Sequence, residues 1–534
     1  MPALTTQSAP SCASGPRHRR LVPDRRRRSR LALAGATALI ALLLVVPIAE
    51  SRSTATTITV TGRGWGHGIG MSQWGAYGYA KHGWTYKAIL RHYYTGIAFG
   101  SVANAPIRVR LRGGLRSVKL TAAKPYRAAT TGARFDIAAG VTATLTWVNG
   151  KYRVSADGKS KDFTMPVTFT PSAGSLNLLT ATDMGNTGLY RGVIRVLRPD
   201  GGFMIVNKLP LESYLRGVVP HEVSPSWPAE SLKAQATAAR AYAQRSRNPG
   251  DSFDVYCTVR DQAYKGVSIE HVNTDAAVRA TAGVVPTYDG NVIAAFYFST
   301  SGGHTENIEN SWQTSALPYL KGVDDPYDTY SPRHTWPLAQ YAAGALATKL
   351  GGSVSGSLRA IYVVQRGKSP RVVKAAIVGS QGTQFLHGSV LRSKLGLWDS
   401  WAYFRSMSVS PAAADNATIT AGSGIELRGR LYQAASAGAV VKLHTYSNGA
   451  WHSREIATTR ASESLGSGYA ASYSAYAVTV KPTQTAKYYF SYGKARSPQT
   501  TIKVTAASTP TPTPSPSASG ATAPKASIAP EPTL

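Results

Sequence analysis

Two cysteines in 534 residues leave little room for disulfide chemistry. Cys12 precedes the long apolar run of the chain and Cys257 lies far beyond it. Export would place them on opposite sides of a membrane or separate them by cleavage, so no internal disulfide is expected and the fold must stand on its core alone. Acidic residues are also scarce, 27 Asp and Glu against 59 Lys and Arg, for a formal net charge of +32. Metal signatures are missing. There is no H-E-x-x-H and no C-x-x-C, and His67, His82, His92, His221 and His304 are scattered. No G-x-S-x-G elbow supports a Ser/His/Asp triad, and no repeat array is visible.

The basic excess is partly local. Arg17, Arg19, Arg20, Arg25, Arg26, Arg27, Arg28 and Arg30 cluster before Leu31 to Ala49, a run made almost wholly of Leu, Ala, Ile and Val. A basic n-region followed by an apolar h-region is a signal sequence. At roughly 19 residues the run also borders on the length of a membrane span, about 20. The chain therefore reads as exported, either secreted after signal-peptide cleavage or held by an N-terminal membrane anchor with its arginines in the cytoplasm. The remaining positive field attracts polyanions. Export argues against nucleic acid and leaves a membrane surface, an anionic wall polymer or a plain solvated basic surface.

A chain this long exceeds one core, since cores stop growing at roughly 250–300 residues. The pattern predicts an α+β, β-rich fold. Residues 1–50 form the basic region with the signal or anchor. Residues 51–405 form a main domain with a few helices and a β-rich inserted subdomain at about 105–180. Residues 408–505 form an Ig-like β-sandwich, and 506–534 a disordered Pro/Thr/Ser tail. In the insert, Ile107 to Leu111, Val141 to Val148 and Tyr152 to Val154 alternate, with turns at Asn149-Gly150 and Asp157-Gly158. Arg191 to Val196 and Phe203 to Val206 read as strands around Pro199 to Gly202. Val292 to Ser299, Ile361 to Val364, Val372 to Val378, Gly438 to Tyr446 and Tyr488 to Tyr492 also read as strands. The best helix starts near Pro228 and carries Leu232, Gln235, Ala236, Ala239 and Ala243 at helical spacing. Asn207 to Pro220 carries a shorter helical pattern.

Two stretches carry the chemistry. In Gly62 to Ala80, glycines recur at alternate positions, which gives up side-chain burial and costs chain entropy. Such a loop either lets backbone approach a ligand, with His67 and Gln73 as polar contacts, or is a tightly packed turn with aromatic filler. The second stretch centres on Glu222, between apolar segments and before a proline-bounded loop. A carboxyl group so placed can have a raised pKa and act as a general acid; the competing reading is an ordinary exposed Glu beside a helix. Trp227 can stack on a sugar, and Lys233 and Arg240, two turns apart, can hold an anion. Glu306, Glu309, Asp324, Asp325 and Asp328 are the other main carboxylates. None is marked by spacing as the partner that most glycosidases require.

Taken together, the motifs resemble the stage II sporulation protein D and LytB amidase-enhancer (SpoIID/LytB) family. The resemblance rests on Tyr214-Leu215-Arg216-Gly217-Val218-Val219-Pro220-His221-Glu222, Ser226-Trp227-Pro228, and Lys233-Ala234-Gln235-Ala236 with Arg240. It continues in Ser299-Thr300-Ser301-Gly302-Gly303-His304-Thr305-Glu306, Pro318-Tyr319-Leu320-Lys321 and Arg366-Gly367-Lys368-Ser369-Pro370-Arg371. The stretch Gly66-His67-Gly68-Ile69-Gly70-Met71-Ser72-Gln73 also matches, but it precedes the other motifs, whereas sporulation members carry it after the P-Y-L region. That order is what a circular permutation produces, and it implies that Gly62 to Ala80 packs beside Glu222.

The resemblance implies a peptidoglycan lytic transglycosylase, a lyase that cuts stem-free glycan strands and leaves 1,6-anhydro-muramic ends. It makes Glu222 the catalytic acid and ties Arg240, Tyr319 and Lys321 to activity or substrate binding. His67, Gln73, Trp227, Ser301 and Gly302 complete the expected substrate-binding set. One carboxylate suffices for this chemistry, because the substrate supplies its own nucleophile. Some members bind zinc through a His and two Cys. Here His221 and Cys257 are present and the second cysteine is missing, with Asp261 near its place, so no cofactor or metal is expected. Other readings are a non-catalytic enhancer of an N-acetylmuramoyl-L-alanine amidase and a basic wall-binding module.

Overall fold

The computed structural model describes residues 54–199, 201–433 and 439–507. The arginine block, Cys12, the apolar run, the Pro/Thr/Ser segment from 508, Asp200 and Gly438 lie outside the described residues. Strand accounts for 44% and helix for 19%, spread over many small sheets without a barrel, so the fold is α+β and β-rich. Among the described residues no helix is long and apolar enough to cross a membrane.

The β-rich segment forms two facing sheets. Pro106–Leu115 lies between Val255–Tyr256 and Phe203–Pro210 in a seven-stranded sheet, and Ser117–Ala122 lies in a six-stranded one. Along Pro106–Leu115, Ile107, Val109 and Leu111 are buried while Arg108, Arg110 and Arg112 are not, the period of two expected of a half-buried strand. The sheets run on to Pro210, past the expected limit near 180. Their core (Leu120, Leu145, Phe169, Ile194, Ile205) continues without a break into Leu211, Leu215, Val218, Leu232 and Ala236. The sheets are thus the floor on which the Glu222 segment rests.

Strand Ala55–Gly62 zips antiparallel to Ala402–Val409, from Ala55↔Val409 to Gly62↔Ala402, and pairs with Ala339–Ala342 on its other edge. This ladder brings the start of the main unit to its end. Ala402–Val409 also pairs with Ile425–Tyr432 through Ser406↔Tyr432 and Met407↔Leu431. One sheet therefore crosses the expected boundary near 405–408, and Met407 and Val409 sit in the same core as Leu427, Leu443 and Phe490 of the C-terminal sandwich.

Two local expectations are corrected. Asn207 to Pro210 ends the strand Phe203–Pro210 instead of starting a helix. Buried Asn207 donates to the carbonyls of Arg191 and Val193 and accepts from the Tyr264 hydroxyl, so its amide is spent across the sheet. Val292 to Ser299 is not one strand: only Asn291–Val292 and Tyr297–Phe298 form ladders. Between them the backbone bends, and the Phe296 carbonyl accepts from Met71 N–H and the Tyr94 hydroxyl.

Candidate active site

Helix Ala229–Arg245 is the axis of the site. Ala234, Ala236, Ala238, Ala239, Ala241 and Ala243 are all buried, so small side chains allow neighbours to close on every face. Pro228 is its N-cap, one residue outside the first turn. Before it, Leu211–Arg216 and the single turn Val219–Glu222 are anchored by buried Leu215, Val218 and Val219. Pro220 lies in its first positions, where a missing N–H costs nothing, and Glu222 ends it.

The Glu222 carboxyl is half-buried. Gln73 Nε2 donates to its Oε2 at 3.4 Å, and the Ala263 N–H and the Tyr297 hydroxyl also bond it. Among the described residues it has no ion-pair partner. Burial pushes its pKa up to about 7, against the pull of these three hydrogen bonds. Near neutrality such a group can give a proton and take it back. The expectation that Gly62 to Ala80 lies beside Glu222 is met by the Gln73 contact itself.

Tyr297 is held from two sides. Its hydroxyl accepts from Gln262 Nε2 at 2.8 Å, and Gln262 Oε1 accepts from the Tyr214 hydroxyl at 3.2 Å. Because Gln262 donates into it, the Tyr297 proton is free to point at Glu222. His67 Nε2 donates to the Tyr297 carbonyl at 3.1 Å, and Nδ1 accepts from Ile69 N–H at 3.0 Å. Burial, with Arg392 and Arg371 nearby, lowers the His67 pKa to about 3, so the ring is neutral. His67 thus holds the backbone of Tyr297, and both of its nitrogens are spent within the protein.

Aromatic rings flank this region. Trp74, beside Gln73 in helix Gln73–Lys81, lies 4.8 Å from Trp227, and Tyr77 lies 5.2 Å from Trp227 and 5.4 Å from Tyr330. Trp74 and Tyr77 share one helix face at i, i+3. The adjoining face is glycine for a steric reason: a Cβ on Gly75 would stand 2.3 Å from Asp325 Oδ2, and one on Gly78 2.1 Å from the Tyr327 carbonyl. Asp325 is buried, accepts from the Tyr93 hydroxyl at 2.8 Å, and has its pKa raised to about 7 by burial and by Asp328. The preceding loop is similarly crowded. Gly68 has φ +83°, and a Cβ there would meet Arg371 Nε at 2.5 Å. The glycines therefore admit protein atoms, which favours the packed-turn reading of this stretch over a ligand loop.

Several expected binding residues lie elsewhere. Arg240 is fully buried and grips Glu212 in a fork, Nε to Oε1 at 2.8 Å and Nη2 to Oε2 at 2.7 Å. It also donates to the carbonyls of Val284 and Val278, so no face is left for substrate. Lys233 pairs with Glu230 at 2.6 Å. Ser301 is buried, and both its hydroxyl and the Gly302 N–H donate to Asp328. The Ser301 carbonyl accepts from Arg371, which forms a buried bidentate pair with Asp399. Glu306 is likewise spent within the fold, accepting from Asn307 and Lys368 N–H, Asn310 Nδ2 and both N–H and hydroxyl of Ser369. Tyr319 is half-buried against Tyr288 at 5.6 Å, and Lys321 is exposed. None of these residues has a hydrogen bond or ion pair to Glu222. The positions associated with zinc do not fit a metal. Cys257 is buried, with its thiol on the Leu111 carbonyl and its pKa pushed by burial up to about 12. Asp261 is engaged by the Tyr242 hydroxyl and Tyr256 N–H. Among the described residues no group of three His, Cys, Asp or Glu side chains converges.

Gln262, Tyr77 and Tyr330 went unmarked in the sequence, and Tyr297 and Trp74, which lie close to the motif residues Ser299 and Gln73, were given no role. Trp74 and Tyr77 had a signal in their i, i+3 spacing across Gly75 and Ala76; Gln262 had none.

The stage II sporulation protein (SpoIID) family profile matches residues 199–288, which include Glu222 and Arg240. Stage II sporulation protein D of Bacillus subtilis (strain 168) is 36% identical over 210 residues, 36% of this chain and 59% of that protein. An uncharacterized protein of Brachyspira hyodysenteriae is 40% identical over 137 residues, 25% of this chain and 37% of its own. The amidase enhancer of Bacillus subtilis is 40% identical over 124 residues, 23% of this chain and 16% of its own. The chain thus spans less than two thirds of the length of each of these relatives. No solved structure matches.

Proposed function

The chain belongs to the SpoIID/LytB family, the family of stage II sporulation protein D and the amidase enhancer, and on that premise we propose that it is an exported peptidoglycan lytic transglycosylase. The observation that carries the reading is the half-buried Glu222 carboxyl, raised to about 7 and ringed by neutral hydrogen-bonding groups.

Protonated Glu222 delivers its proton to the glycosidic oxygen, and the bond from that oxygen to C1 of the muramic residue breaks. The resulting carboxylate takes the proton of the C6 hydroxyl as O6 attacks C1. One C–O bond breaks, one forms, and the proton passes through a single carboxyl, so neither a water nucleophile nor a second acid is required. Tyr297 and Gln73 orient the carboxyl, and removing charge from its surroundings keeps the protonated form available near neutral pH. Trp227, with Trp74 and Tyr77, offers flat apolar faces for sugar rings. Tyr319 and Lys321 remain proposed substrate contacts, and Lys321 suits the lactyl carboxylate of a stem-free muramic acid.

The test is incubation of the purified exported part, wild type and Glu222→Gln, with stem-free glycan, followed by mass spectrometry of the products. Wild type is expected to release anhydro-muramic ends and the variant none. Absence of such ends with wild type overturns the reading. The match to the amidase enhancer supports a second reading, in which the chain releases no anhydro ends and instead accelerates a wall amidase added to the same assay.

A further inference from the structure

The C-terminal sandwich carries its own set of aromatic rings. Strands Val441–Ser447, Ala450–Ile456 and Ala486–Tyr492 are antiparallel neighbours in one sheet. Val441, Leu443, Ile456, Tyr488 and Phe490 turn into the core. Alternate positions turn to solvent, and the register sets them in rows. Trp451, Tyr446 and Lys487 form one row; Ser453, His444 and Tyr489 form the next; Glu455, Lys442 and Ser491 form the third. The rings make a continuous plate. His444 stacks on Tyr489 at 4.3 Å with planes 5° apart, and Trp451 lies 5.0 Å from Tyr489 and 5.2 Å from Tyr446. Trp451 is 45% exposed. The sandwich core is closed without these rings, so burial within this chain does not account for them; contiguous exposed apolar surface with a polar rim marks a binding site.

We propose that this plate binds a glycan strand, the same stem-free wall glycan that the reading above assigns to Glu222, on which it rests only for the identity of the polymer. Pyranose rings present flat C–H faces edged by hydroxyls. A plate of Trp451, Tyr446 and Tyr489 meets the faces, while Ser453, Ser491 and Glu455 meet the hydroxyls. Lys487, whose ammonium stands 5.8 Å from the Tyr446 ring centroid, and Lys442 supply cations for muramic carboxylates. The positive excess that remains beyond the N-terminal arginine block adds attraction for such a polyanion. Holding the strand here raises its effective concentration at Glu222 without any new contact in that site.

The experiment is co-sedimentation with insoluble stem-free glycan. It compares the full exported part carrying Glu222→Gln, which keeps the polymer intact, with the same protein also carrying Trp451→Ala and Tyr489→Ala. The expected result is binding about tenfold weaker in the triple variant, the scale set by losing two aromatic contacts. The two sandwich substitutions in an otherwise wild-type chain should leave cleavage of a short soluble glycan unchanged. An unchanged melting temperature, expected for Trp451 and Tyr489 on the solvent face, separates loss of binding from loss of fold. Trp451→Tyr, which keeps a flat ring, should restore most of the binding. Equal sedimentation of triple and single variants overturns the proposal, as does capture by anionic phospholipid vesicles in place of glycan. Failure of the Glu222 reading shows instead as absence of cleavage with sedimentation intact.

Discussion

At the scale of the residue, the pH behaviour of Glu222 decides between chemistry and decoration. Its folded pKa, raised to about 7, lies above the ordinary carboxyl value. The folded protein therefore holds a proton that the unfolded chain releases, and stability falls as pH rises from about 4.5 through 7. Glu222→Gln removes that penalty. The variant should lose activity yet gain about 2 kcal/mol at pH 8, and gain nothing at pH 4, in urea titrations; this figure is discounted for partial exposure. Equal stability at both pH values would mean that the carboxyl is not raised. Tyr297→Phe deletes a hydrogen bond that favours the ionised form, so the alkaline limb of the rate profile should move up in pH while kcat falls about tenfold. A merely structural Tyr297 would lower the rate without moving the limb.

At the scale of the element, buried charge holds the helices in place. Arg240 ties helix Ala229–Arg245 to Glu212 of Leu211–Arg216, the helix just before the Glu222 turn. Arg240→Met should cost about 2–3 kcal/mol, because the half-buried Glu212 loses its partner while water and the Gly283 N–H still reach it. Arg240→Lys should recover little, since an ammonium cannot reproduce the two-toothed grip. Retained stability with lost activity would return Arg240 to the substrate. In the glycine-rich stretch, Gly75→Ala should lower the melting temperature, because its Cβ would collide with the Asp325 carboxyl and the Tyr93 hydroxyl. A variant that melts like wild type but binds glycan poorly would restore the ligand-loop reading.

At the scale of the whole molecule, the ladder joining Ala55–Gly62, Ala402–Val409 and Ile425–Tyr432 couples the two halves. Truncation after Val409 should strip the cover from Met407 and Val409. The remaining unit is then expected to melt at a lower temperature and to aggregate, measured by calorimetry and light scattering; unchanged melting would show that the sandwich folds apart from the rest.

Local patterns were enough to establish the β-rich class, the period-two strands near Ile107 and the helix after Pro228. Each depends on spacing over a few residues, and spacing is a property of the chain alone. The neighbourhood of the Gly62 to Ala80 stretch was also legible, because its motif order implied that it packs beside Glu222. What only the tertiary structure decided is which charged and polar groups are already spent. Arg240, Ser301 and His67 look available in sequence, yet each has its hydrogen bonds taken up by groups far along the chain, at Val284, Asp328 and Tyr297. The raised pKa of Glu222 belongs to the same class. It comes from burial, and burial is set by which distant segments close around a residue, here Gln73 from one side and Tyr297 from the other.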